Sequence, residues 1–180
     1  IIFDPNSYAT PTFISKIENQ DLHGMPVAQY LIITRKDLLP AAQELAQFHN
    51  NNGTTVQIAT VDQIYNEFSS GGQDIGGIRN FIKMVYDRST STNPLEDVLL
   101  FGAASFDYKE RIANNTNVVP TYQSLSSVGN ASTYLSDEYF TLLDDGESMD
   151  AMNPGNYIDI GIGRIPARNL TEAQDYVAKV

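Results

Sequence analysis

Four short aliphatic runs recur along this chain, and the way each is filled limits the folds open to it. They read YLIIT (Tyr30 to Thr34), TVQIAT (Thr55 to Thr60), DVLLFG (Asp97 to Gly102) and YIDIGIGRI (Tyr157 to Ile165). A strand with one wet face alternates apolar and polar residues. Nearly continuous apolar runs instead suit strands covered on both faces, as in a parallel sheet between helices.

The segments between the runs carry helical signals. In LPAAQELAQFHNNNG, Pro40 suits a first helical turn, while Ala42, Leu45, Ala46 and His49 share one face and Gly53 supplies a left-handed stop. VDQIYNEF reads as a short helix with Asp62 as its expected cap. DIGGIRNFIKMVYDRS is the clearest helix: Asp74 caps it, and Ile75, Ile78, Phe81, Ile82, Val85 and Tyr86 form an apolar stripe. Gly76 and Gly77 weaken that helix by about 1 kcal/mol each, and close packing of that end on the sheet would be one reason to keep them. Asn169 and Glu172 make a capping-box pattern ahead of a last helix. Strands alternating with helices require right-handed crossovers. The expected fold class is α/β, a mainly parallel sheet flanked by helices.

Two regions break this rhythm. Residues 1–29 lack helical period and carry the turn formers Asp4-Pro5-Asn6, Thr10-Pro11 and Gly24-Met25-Pro26. They predict an incoming linker or edge segment ahead of a domain spanning 30–180. From Ala103 to Asn156 the chain is rich in Ser, Asn, Asp and Tyr. An insertion of that length is uncommon inside a compact domain and often functional. Short ordered pieces are expected around VVPTY and DEYFTLL.

Bulk properties exclude several functions. The formal net charge is −11, and such a surface lacks the cations that displace counterions from nucleic acid. Cysteine is absent, so the chain has no disulfide, thiolate metal site or thiol nucleophile of its own. No apolar run approaches the roughly 18–20 residues of a membrane span. With 18% charged residues, the polar but weakly charged texture fits a secreted or cell-surface protein. The opening IIFDPNSY has neither an initiator Met nor a signal-peptide pattern, which predicts an excised or processed segment.

Candidate sites are few. Gly102, Gly161 and Gly163 lie near strand ends, but no phosphate-loop spacing follows them, and GIGRIP runs into proline rather than a helix. They read as close-approach glycines. His49 ends a helix, where an imidazole suits the dipole, and His23 sits in a Gly/Pro loop with no obvious nucleophile beside it. The acidic stretch SDEYFTLLDDGESMD concentrates Asp137, Glu138, Asp144, Asp145, Glu147 and Asp150. Clustered oxygen ligands of this kind are what Ca²⁺ uses, although the spacing is not that of an EF-hand. Asp137, Glu138, Asp144 and Asp145 are the candidate Ca²⁺ ligands. Arg164 follows the fourth run and is placed to pair with this acidic stretch.

Taken in order, DVLLFGAASFDYKERI, VVPTYQS, SDEYFTLLDDG and DIGIGRIPARNLTEAQDYVAKV resemble the first half of the catalytic domain of gingipain-type cysteine peptidases. With KIENQDLHG and YLIIT upstream, the resemblance narrows to the cell-surface sortases of type IX secretion in Bacteroidetes, and it runs from about Ile17 to the end. It implies a caspase-like, three-layer α/β/α domain of two subdomains, of which residues 30–180 would be the first. The partner it implies is a C-terminal subdomain carrying the catalytic His and Cys, and the substrates are secreted proteins. No catalytic or cofactor-binding residue carries over to this chain. One departure stands out. Relatives commonly place an aspartate after the glycine ending the third strand, where this chain has Ala103 and Ala104. That leaves open a homologue that has lost the chemistry.

Overall fold

The computed structural model describes residues 10–13, 16–126, 128–129, 132–149 and 156–180. The expected turn at Asp4-Pro5-Asn6 lies outside them. The four aliphatic runs form strands: β1 (Tyr30–Thr34), β2 (Val56–Thr60), β3 (Asp97–Phe101) and, last in the chain, β6 (Gly161–Ile165). They make one sheet in the order β2-β1-β3-β6, with every pairing parallel. Tyr30 stands level with Val56 and Asp97, and Asp97 with Gly161, so all four strands end on the same edge.

The helices are α1 (Leu39–Asn51), α2 (Val61–Phe68), α3 (Ile75–Asp87) and α4 (Leu170–Val177). Helices α1 and α4 pack together, as do α2 and α3, one pair on each face. Leu31, Ile32, Ile33, Leu100 and Phe101 of the sheet, with Ile64, Phe81 and Ile82 from the helices, are fully buried. Burial of each such side chain contributes about 1.5–3 kcal/mol. Strands covered on both faces explain why the runs are continuous.

Local details differ from expectation at four places. Helix α2 is capped by Thr60, whose hydroxyl accepts from Gln63 N while the Gln63 carboxamide accepts from Thr60 N. Asp62, the expected cap, lies inside the first turn. Gly77 packs on Ser69 at the end of α2, not on the sheet: a Cβ there would stand 3.2 Å from the Ser69 side chain. The fourth run is a strand only from Gly161. Asn169 does cap α4 by accepting from Glu172 N, but the Glu172 carboxylate returns to Arg168 N rather than to the cap itself.

The long insertion is built onto the same core. It contains an antiparallel ribbon of β4 (Tyr122–Gln123) and β5 (Leu135–Ser136), then a 3₁₀ turn over Glu138–Thr141. Val119, Phe140 and Leu143 are fully buried against sheet and helices. From α3, Arg79 donates to Leu142 O and Lys83 to Leu143 O.

Candidate active-site crest

Parallel strands gather their carboxyl ends on one edge. Here the sheet order reverses between β1 and β3, because the connection leaving β1 goes one way to β2 and β3 lies on the other side. Ligands of open α/β sheets bind in the crevice at such a switch point. The residues that follow the strands there are Arg35 after β1, Gly102 to Ser105 after β3, and Pro166 and Ala167 after β6.

Gly102 is required by proximity. A Cβ there would collide with the Val118 side chain, because the insertion returns across the crest at that point. Ala103 ties three segments: its N–H donates to Ala167 O at 2.8 Å, and its carbonyl accepts from Val118 N at 2.8 Å and Val119 N at 3.1 Å. Ala103 is itself buried. Ala103 is thus an apolar residue at a backbone knot where three segments meet.

Two guanidiniums hold the returning loop. Arg164 donates through Nε and Nη2 to both oxygens of Asp137 at 2.7 Å, through Nη1 to Gly102 O and Val119 O at 2.7 Å, and through Nη2 to Pro120 O at 3.2 Å. All five donors of the guanidinium are therefore used. Thr121 Oγ1 adds a bond to Asp137 at 2.8 Å. The expected pairing of Arg164 with the acidic stretch is formed, through Asp137. At the other side, Arg35 makes a two-pronged pair with Asp37 at 2.7 and 2.8 Å and reaches Asn117 O at 3.4 Å. The hydrogen bond from Arg35 holds the Asp37 carboxyl below its usual value and the same bond raises Arg35, so both stay charged across the neutral range.

Carboxamides complete the crest. Buried Asn117 accepts from Ser105 N and donates to Gln73, and Gln123 donates to Phe106 O at 2.9 Å. Behind the loop lies a cavity of about 480 Å³ bordered by Asp74, Ile75, Tyr108, Pro120, Gln123 and Leu125. The arrangement is a wall of main-chain loops held in place by side-chain hydrogen bonds.

The other sequence candidates are dispersed. Of the proposed Ca²⁺ ligands, Asp137 is engaged by Arg164, and Glu138 opens the 3₁₀ turn. Asp144 donates its N–H to Glu147 at 3.1 Å, while Asp145, 98% exposed, stands 3.6 Å from Lys83. Asp150 lies outside the described residues. Among the described residues, no three His, Asp or Glu side chains gather as a metal-binding set. His49 packs its ring on Tyr30 at 4.8 Å, at the opposite edge of the sheet from the crest. His23 pairs with Glu67 at 2.7 Å. Sequence reasoning overlooked the Thr60-x-x-Gln63 capping box, which was visible in its spacing. It also overlooked Asn117 and Gln123, for which no local pattern exists.

The comparisons with known proteins fall in line with this geometry. The family model for peptidase family C25 matches residues 25–180. No curated protein matches. Among solved structures, the crystal structure of dimeric latent PorU from Porphyromonas gingivalis superposes with a TM-score of 0.75 at 32% identity, over 91% of this chain. The chain spans only 16% of that much longer protein. Among the described residues, no helix is long and apolar enough to cross a membrane.

Proposed function

Because this chain belongs to peptidase family C25, the family of the gingipains, we propose that residues 30–180 are the first, non-catalytic subdomain of a gingipain-type cysteine peptidase, with residues 1–29 as the segment leading into it. The parent protein is a secreted or outer-membrane-associated sortase that acts on proteins exported by type IX secretion. Its thiolate attacks a peptide carbonyl, an imidazole moves the proton, and backbone N–H groups hold the oxyanion. In the sortase role an amine, rather than water, resolves the acyl-enzyme.

One observation carries this reading. A chain that shares 32% identity with PorU over 91% of its own length contains no cysteine at all. In a cysteine peptidase, that absence supports a reactive sulfur supplied by another segment, with the crest as a wall of the cleft. The test compares the 180-residue chain with the same chain joined to the polypeptide carrying the thiol. The chain alone should turn over no peptide. The joined form should turn over peptide substrates and lose that activity to iodoacetamide. Turnover by the chain alone would overturn the assignment.

The apolar knot at Ala103 favours a second reading, a cell-surface scaffold or binding protein that kept the fold and lost the chemistry. A joined form that folds, carries an accessible thiol and still turns over nothing would decide for it.

A further inference from the structure

We propose that residues 16–24 form a detachable strap over the open edge of β2, latched by the single carboxylate of Glu67. Among the described residues, strand β2 ends the sheet order and pairs with β1 alone. An edge strand presents unpaired N–H and C=O groups, and folded proteins commonly cover such an edge with a loop. A cavity of about 680 Å³ wraps around this edge. Leu39 and Gln43 of the α1 side border it, then Ile58 of β2 and Gln63 of α2, with Ile17 and Asn19 as its roof.

The roof does not pair with the strand beneath it. Among the described residues, the one main-chain-to-main-chain hydrogen bond of residues 16–25 runs from Met25 N to Leu22 O, inside the segment itself. Its attachment is made by side chains, concentrated at one end. Glu67 accepts from Leu22 N at 2.9 Å, His23 N at 3.2 Å, Gln20 Nε2 at 2.8 Å and the His23 ring at 2.7 Å. The His23 ring stacks on Phe68 with centroids 4.7 Å apart, Arg88 donates to His23 O, and Leu22 is buried. Upstream, among the described residues, the Gln20 carboxamide ties the strap to Gln63 and Asn66. Lys16 to Asn19 are exposed above the cavity.

A segment whose attachments, among the described residues, gather at one end above a cavity opens locally at a cost below that of global unfolding. Removing the latch should therefore uncover β2 without melting the sheet. This inference is independent of the proposed chemistry.

Because the chain has no cysteine, a single introduced thiol reports the opening. Ile58→Cys, on the cavity wall, is labelled by a maleimide in the full chain, with Gln47→Cys on the exposed face of α1 as control. Adding Glu67→Ala should raise the labelling rate of Ile58→Cys about tenfold, as local opening becomes more populated. The Gln47→Cys rate and the hydrogen-exchange protection of β1 should stay unchanged. If Glu67→Ala itself loses β1 protection, Glu67→Gln, which keeps the shape and removes the charge, replaces it. An Ile58→Cys rate that changes less than about twofold, or rises only together with β1 exchange in both variants, would overturn the strap.

Discussion

Between Tyr30 and Phe101 the chain is held by buried aliphatic surface, whereas between Ala103 and Leu143 a few buried anchors such as Val119, Phe140 and Leu143 are joined by stretches held by side chains that reach for main-chain groups. The buried polar residues make the contrast plain. Thr34 and Thr60 are the two in the sheet region, while Asp107, Asn117, Thr121 and Thr141 are all in the insertion. Hydrophobic burial is non-directional and scales with area, so the sheet needs only the right volume in the right rhythm. A loop without secondary structure must find a partner for each buried N–H and C=O. The insertion finds them in Arg164, Arg35, Asn117 and Gln123. The first region is therefore expected to tolerate apolar exchange, and the second to depend on individual atoms.

The largest effect separating the two belongs to the sheet. Phe101 is fully buried on β3, between β1 and β6, and Phe101→Ala should cost about 3–5 kcal/mol through lost transfer energy and the cavity left behind. For a domain of this length that is a Tm lowered by on the order of 10 °C. Phe101→Leu should recover most of it, since volume rather than geometry is at stake. Calorimetry of both variants checks this. A Phe101→Leu variant as damaged as Phe101→Ala would mean that the sheet, too, relies on specific shape.

A smaller but sharper effect is expected at Arg164. Its side chain is 14% exposed and its partner Asp137 25% exposed. Arg164→Ala removes the guanidinium from three carbonyls and leaves the Asp137 carboxylate with the Thr121 hydroxyl alone among its side-chain donors described above, at a cost of about 2–3 kcal/mol. Here the conservative change should not rescue. Lysine keeps the charge but cannot present five donors in a plane, so Arg164→Lys should behave nearly like the alanine variant. Hydrogen exchange should locate the damage at Val118 and Val119, whose amides bond Ala103 O, with β1 and β2 unaffected. A Tm within a degree of the parent for Arg164→Ala would remove the distinction between the regions.

The same contrast decides what was legible beforehand. Strand β1 and helices α1 and α3 followed from run length, period and terminal residues, because their stabilising partners are local or simply apolar. The mainly parallel character of the sheet followed from alternation, whereas its strand order did not. In the insertion, Phe140 and Leu143 were placed in an ordered piece, yet nothing local revealed that they complete the main core. Arg164 was readable as a partner for acid, since a guanidinium beside a strand end seeks a carboxylate. Its three carbonyl partners were not, because Gly102, Val119 and Pro120 are brought together only by the chain's return across the crest. The Glu67 latch was hidden for the same reason: Leu22 lies 45 positions away, and the bond involves a backbone group that any residue would offer.

The smallest expected effect concerns the acidic stretch, and it asks whether the insertion's carboxylates behave as a set or one by one. Ca²⁺ takes six to eight oxygens at roughly 2.3–2.6 Å, drawn from several carboxylates that converge. Asp137 has both oxygens engaged by Arg164, and Thr121 also donates to it. Glu147 accepts from Asp144 N and Tyr157 N, and Asp159 accepts from Leu143 N. These three carboxylates therefore act singly, each satisfying donors of the surrounding protein. Recruiting Asp137 to a cation would require releasing Arg164, with the cost assigned above to that contact. Millimolar Ca²⁺ should accordingly shift the Tm by less than about 2 °C, equivalent to under 1 kcal/mol of linked binding, and titration calorimetry should register no saturable heat. The Arg164→Ala variant sharpens the test, because it frees Asp137. A Ca²⁺-dependent recovery of stability in that variant alone would show that the guanidinium occupies the place a cation would otherwise take. Saturable binding by the parent chain would instead mean that the carboxylates act together, and the insertion would then be organised by a shared charge rather than by separate hydrogen bonds.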